Sequence, residues 1–220
     1  APIIIIMRPT GLIIRLLWLL YRAMNEISLI LVDPQAGFCS RSGSLANYYG
    51  DEELADIQET LSNLKRCLDE VPRKHLVTSE YATAQFTDGN SQHPLANLCV
   101  PLVNLDCEIA AELEGIQFLS RHIKHEQSAL SSIEFNSEIE NDLESGVRHF
   151  VVTGFLFEHC VRATAQDLIA KVSGSSAHVS VCRDLSASRI EKYGNGEVEA
   201  TIEKLLSLGV GYKSWQEIKP

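Results

Sequence analysis

His149-Phe150-Val151-Val152-Thr153-Gly154-Phe155-Leu156-Phe157-Glu158-His159-Cys160 runs directly into Val161-Arg162-Ala163-Thr164-Ala165-Gln166-Asp167-Leu168-Ile169-Ala170-Lys171. The opening apolar residues read as a buried strand running into a glycine, and the second segment reads as a helix. Cys160 falls at the junction. A cysteine at a helix N-terminus meets unpaired backbone N–H groups and the positive end of the helix dipole. Both favour thiolate over thiol and offer donors to an oxyanion forming on a carbonyl. The pattern suggests a cysteine nucleophile for acyl transfer. Against it stands the inert alternative, because free cysteine is among the most buried residue types.

The same alternation recurs on both sides of this stretch. Residues 27–32, Ile-Ser-Leu-Ile-Leu-Val, form a short apolar run ending in Asp33, as a buried parallel strand does. Residues 51–70 carry Leu54, Ile57, Leu61, Leu64 and Leu68 at helical spacing, with Asp51 as the cap. Further strands are expected at 75–78, 118–123, 178–182 and near 212–215, and further helices at 137–144 and 197–208. Residues 80–107 are punctuated by Asn, Asp, Pro and Gly and read as a long loop. The alternation predicts a three-layer α/β/α, Rossmann-like domain over residues 24–220, with a mostly parallel sheet of about six strands. Ligands of such sheets bind beyond the strand C-terminal ends. Asp33, Lys124 and Cys160 all follow strands at that edge, so an acid, a cation and a nucleophile can converge there.

Composition narrows the function. The 220 residues are 45% hydrophobic and 22% charged, with a net charge of −10. That balance fits a globular protein and argues against nucleic acid as a partner, which needs clustered Lys and Arg. Cys39, Cys67, Cys99, Cys107, Cys160 and Cys182 are dispersed without a CxxC, so reduced thiols and a cytoplasmic location are expected. Residues 1–23 differ from the rest: Arg8, Arg15 and Arg22 recur every seven residues among apolar side chains, with no acidic residue. We read them as sequence upstream of a natural start at Met24, with a surface-lying accessory helix as the alternative. No uncharged run there reaches about 18 residues, so a spanning helix is not expected.

Three motifs carry a family resemblance. Leu31-Val32-Asp33-Pro34-Gln35-Ala36-Gly37-Phe38 resembles a strand followed by D-x-Q-x-x-F. Lys124-His125-Glu126-Gln127-Ser128-Ala129-Leu130 resembles K-x-x-x-S-A-F. Val152 to Ala165 resembles V-x-G-x-x-T-D-x-C-V-x-x-T-A. Together, in order, they resemble the isochorismatase-like cysteine hydrolases, which include nicotinamidases and N-carbamoylsarcosine amidase. The resemblance implies a Cys160–Asp33–Lys124 triad, with Cys160 as nucleophile, Asp33 as base and Lys124 holding the ion pair. It also implies a cis peptide at Phe155–Leu156, an oxyanion hole from the N–H groups of Leu156 and Cys160, and a homo-oligomer, dimer or tetramer. The implied reaction is C–N cleavage of a small non-peptide amide, carbamoyl or ureido substrate through a thioester. Gln35, Phe38, Leu130, Phe155 and Phe157 are the expected substrate pocket, although half or more of the apolar wall is expected to be core.

The departures are also informative. Nicotinamidases carry Asp-x-His after the second strand, followed by further histidines, to bind a metal. Here the stretch is Ser79-Glu80-Tyr81-Ala82-Thr83, and His93 is the one histidine in the loop beyond it. These are too few ligands for a closed site, so neither metal nor other cofactor is expected. The competing readings are a non-catalytic member that binds a metabolite or a protein, and a membrane-associated protein using residues 1–23. The joint presence of Asp33, Lys124 and Cys160 argues against the first.

Overall fold

The computed structural model describes residues 23–50, 54–188 and 196–220. The segment 1–22 and the proposed cap Asp51 lie outside the described residues. Six strands form one sheet: β1 (Ile27–Val32), β2 (Lys74–Ser79), β3 (Ser120–Lys124), β4 (His149–Phe155), β5 (His178–Ala187) and β6 (Gly211–Lys213). Their order is β3-β2-β1-β4-β5-β6, and every pair is parallel. The strand order reverses between β1 and β4, which opens a crevice at their C-terminal ends.

The two-residue period of β1 divides its side chains between two cores. Leu29 and Leu31 face one core with Ile57, Leu61, Leu64 and Leu68 of the helix Leu54–Leu68. Ile30 and Val32 face the other, with Phe135 and Ile139 of Ile133–Glu144 and Leu168 of Arg162–Lys171. Glu197–Ser207 adds Val198 and Leu205 to that second layer. A sheet covered on both faces explains why β1 and β4 are buried along their whole length.

Several boundaries differ from the sequence reading. The helix expected at 137–144 begins at Ile133, because the Ser132 hydroxyl accepts a hydrogen bond from the Phe135 N–H. β5 continues to Ala187, beyond a register shift between Val152 and Gly154 of β4. Trp215 begins the short helix Trp215–Ile218 rather than ending a strand. The helices Ala36–Cys39 and Ser44–Tyr49 were not foreseen. No helix among the described residues is long and apolar enough to cross a membrane.

Candidate active site

Gly154 lets β4 lie close beside β1. Its φ is +117°, and a Cβ there would sit 2.0 Å from the Val32 carbonyl oxygen. Val32 pairs with Gly154 in register, so the chain leaves the two strands side by side. Asp33 leaves β1 with a φ of +53°, held by its N–H donating to Val77 O at 2.9 Å. Beyond β4 the Phe155–Leu156 peptide is cis. The π-helical turn Phe157–Val161 then carries Cys160 into the helix Arg162–Lys171.

These exits bring the three side chains singled out from sequence together. Lys124 Nζ lies 2.9 Å from Asp33 Oδ2 and donates to Cys160 Sγ at 3.5 Å. Asp33 and Lys124 are completely buried, and Cys160 is 4% exposed. Two further groups complete the cluster, Ser79 and Tyr81. Lys124 Nζ donates to Ser79 Oγ at 2.7 Å and to the Tyr81 hydroxyl at 3.0 Å. Ser79 Oγ donates to Asp33 Oδ1 at 2.8 Å and lies 2.6 Å from the Tyr81 hydroxyl. That hydroxyl lies 3.6 Å from Cys160 Sγ. Neither group stands out in the sequence, where Ser79 to Thr83 is notable only for its want of metal ligands. The available signal was strand register, since Ser79 of β2 pairs directly with Lys124 of β3.

The charge state of Cys160 differs from the expectation of a thiolate. Burial pushes its pKa up and the Asp33 carboxylate raises it further; Lys124 only partly opposes them, leaving it at about 12. The resting group is therefore a thiol beside a carboxylate–ammonium pair. For Lys124, burial disfavours the charge, but Asp33 and Cys160 outweigh it and hold the pKa above its ordinary value. Burial, reinforced by Asp33 and Cys160, also raises the Tyr81 phenol, which stays protonated.

A pocket of about 470 Å³ opens above Cys160. Phe38, Tyr81, Phe86, Leu98 and Leu156 contribute to its walls, and Asp88 is the sole carboxylate of the lining among the described residues. Among the described residues no lysine or arginine lines it. Of the residues expected at the pocket, Phe38 is in this lining, and Gln35, Leu130, Phe155 and Phe157 are outside it. Phe155 is fully buried in one core, and Phe157 and Leu130 pack in the other. The reason for Phe155 and Phe157 is the cover on both sheet faces, which turns apolar side chains at the end of β4 inward. Gln35 is buried and serves as a clamp: its Oε1 accepts from Ser79 N at 2.6 Å and its Nε2 donates to Ser79 O at 2.9 Å. It fixes the exit of β2, and hence Ser79, against the exit of β1.

The residues at the expected metal position do not fit a metal. Ala82 has no donor side chain. The His93 ring lies 5.2 Å from the Tyr48 ring, and its Nδ1 accepts from Leu95 N at 3.1 Å. Among the described residues no group of three His, Cys, Asp or Glu side chains could hold an ion.

Comparison with known proteins agrees with this fold. The model of the isochorismatase domain matches residues 28–189. No curated protein matched the sequence. Among solved structures, PnC1 from L. infantum in complex with nicotinate is 17% identical, with a TM-score of 0.68 over 88% of this chain and 94% of its own. A nicotinamidase/pyrazinamidase from Acinetobacter baumanii is 16% identical, with a TM-score of 0.69 over 88% and 98%. The pyrazinamidase of Pyrococcus horikoshii in complex with zinc is 19% identical, with a TM-score of 0.64 over 86% and 99%. At these identities the likeness speaks for the fold.

Proposed function

The chain belongs to the isochorismatase family of hydrolases, and from that premise we propose that it is a cysteine-dependent amidohydrolase. Its substrate is a small non-peptide amide, carbamoyl or ureido compound. The observation that carries the reading is the contact of Cys160, Lys124 and Asp33 at the floor of an apolar pocket. Cys160 attacks the carbonyl carbon as Asp33 takes the thiol proton. The Lys124 ammonium pairs with Asp33 before the transfer and favours the sulfur anion during it. The N–H groups of Leu156 and Cys160 are the proposed donors to the oxyanion. Collapse expels the amine, which leaves with that proton, and water then hydrolyses the thioester. The pocket walls favour a substrate with an apolar body. A carboxylate on the substrate would meet Asp88 and find no lysine or arginine in the lining among the described residues.

The test is a screen of primary amides, carbamoyl compounds and ureas for ammonia release, with mass spectrometry of the quenched enzyme. The expected result is hydrolysis together with an acyl adduct on Cys160. Undiminished hydrolysis of the same compound by Cys160→Ala would overturn the reading.

A further inference from the structure

Asp88 sets the sign of the charge in the pocket above Cys160. The floor is neutral overall: the Cys160 thiol keeps its proton, and the Lys124 ammonium is balanced by Asp33. His159, also in the lining, has its Nε2 3.9 Å from Glu158 Oε1, so any charge it takes up meets a counter-charge. Asp88 has no such balance. Among the described residues no lysine or arginine lines the pocket, and none of the ion pairs takes up this carboxylate. Four aromatic residues, Phe38, Tyr49, Tyr81 and Phe86, share the lining. Phe86 is 47% exposed and Tyr49 37%, so both present ring surface that a ligand can cover. Aromatic faces attract cations through the ring quadrupole, and a carboxylate attracts them directly. The net charge of −10 adds a long-range field that draws the same kind of ligand.

We propose that the substrate is a small amide whose apolar body carries an ammonium group, and that Asp88 is the residue that selects it. This rests on the amidohydrolase reading of the same site. The carbonyl lies at Cys160, the body lies against the aromatic rings, and the ammonium is held by Asp88. A neutral amide of the same shape loses that attraction, and an anionic one is repelled. Asp88 touches no reacting atom in this arrangement. It binds substrate and transition state alike, so its loss raises KM with little change in kcat. The turn that presents Asp88 is held by Gly89 N donating to Ala84 O at 3.3 Å and Asn90 N donating to Thr87 O at 2.8 Å, with Asp88 itself at a φ of +50°. Asparagine tolerates that backbone conformation as well as aspartate does, so Asp88→Asn removes the charge and keeps the turn.

Two measurements on the full chain test this. The first needs no turnover: calorimetric titration with benzylammonium, benzyl alcohol and benzoate, which share one ring and differ in charge. Benzylammonium should bind about tenfold more tightly than benzyl alcohol, and benzoate more weakly than either. Asp88→Asn should bring benzylammonium and benzyl alcohol to within about twofold of each other, and Asp88→Lys should reverse the order in favour of benzoate. The second is ammonia release from 4-(aminomethyl)benzamide, 4-(hydroxymethyl)benzamide and 4-carbamoylbenzoate. The kcat/KM of the cationic amide should exceed that of the neutral one by about tenfold, through KM, and the margin should shrink in high salt and vanish in Asp88→Asn. Benzylammonium bound no more tightly than benzyl alcohol, or a preference that survives in Asp88→Asn, would overturn the proposal. The two readings fail separately. Hydrolysis of all three amides at equal kcat/KM sinks the cation preference and leaves the amidohydrolase standing. A benzylammonium preference that is lost in Asp88→Asn, without hydrolysis of any amide, upholds the cation site and places the fault in the amidohydrolase reading.

Discussion

Lys124 Nζ lies 2.9 Å from Asp33 Oδ2, and neither side chain has any exposure to solvent. A pair removed so completely from water contributes little net stability when intact and costs a great deal when halved. The ammonium is therefore part of the interior. Lys124→Met should lose activity and also destabilise the fold by about 3–5 kcal/mol, the cost of a buried unpaired carboxylate. Adding Asp33→Asn should recover part of that stability while leaving the enzyme inactive. Denaturant unfolding of the two single variants and the double measures the cycle. Equal stability of Lys124→Met and the parent would refute it.

Strand direction explains why the three side chains could be read from the sequence. In a parallel sheet every strand that ends in a polar residue delivers it to the same edge, so Asp33, Lys124 and Cys160 needed no coordinates to be grouped. What lay beyond reach was lateral. Ser79 joins the cluster because β2 and β3 pair with Ser79 opposite Lys124, and no periodicity within either strand reveals that register. The same holds for Phe155 and Phe157, whose burial depends on helices that cover the sheet on both faces. The charge state of Cys160 was legible only in part. The helix N-terminus is legible in the sequence, but complete burial beside a carboxylate is not, and burial dominates.

His149 supplies a pH test remote from the site. It is buried at the start of β4 with its ring 4.0 Å from that of His178, and its Nε2 lies 3.0 Å from Ser180 Oγ. Burial, with His178 and Lys213 nearby, depresses its pKa to about 3. The unfolded chain binds this proton near the ordinary histidine value, so between those two values it holds more protons than the folded chain. Stability from this group is complete above about pH 6.5 and is lost as the pH falls towards 3. His149→Gln, which does not titrate, should flatten the acid limb of a stability–pH curve. An unchanged limb would show that the imidazole is protonated in the fold.

Gly154 sets the spacing of the nucleophile and the base. With a φ of +117° and the Val32 carbonyl 2.0 Å from any added Cβ, alanine is excluded by both backbone conformation and space. Gly154→Ala should destabilise by about 2–4 kcal/mol. It should also lower turnover more than unfolding accounts for, since β1 and β4 must part and separate Asp33 from Cys160. Activity per folded molecule, measured well below the melting temperature, distinguishes the two effects. Parent-level activity in a stable Gly154→Ala protein would contradict the packing.

Metal removal tests the donor set around Ala82. With alanine at that position and His93 engaged with Tyr48 and Leu95, hydrolysis should survive prolonged EDTA and be unaffected by added zinc. Loss in EDTA with recovery on zinc addition would show that other side chains of this chain supply the ligands.

The triad itself is tested by how its parts fail together. Cys160→Ala removes the nucleophile while leaving the pocket walls in place, so turnover should vanish and substrate binding persist. Asp33→Asn cannot take the thiol proton and should lose most activity. Because both act in one step, the double variant should be scarcely worse than either single one. The parent's resting thiol, with its pKa held at about 12, adds a requirement. If the proton leaves sulfur only as the carbonyl is attacked, no neutral-pH plateau of free thiolate exists. Alkylation of Cys160 should then climb steadily through the alkaline range, whereas amide turnover should follow the coupled thiol–carboxylate pair and be established near neutrality. An alkylation curve already level by about pH 8 would mean a resting thiolate. The carboxylate's role would then shrink to charge balance, and Asp33→Asn should retain substantial kcat.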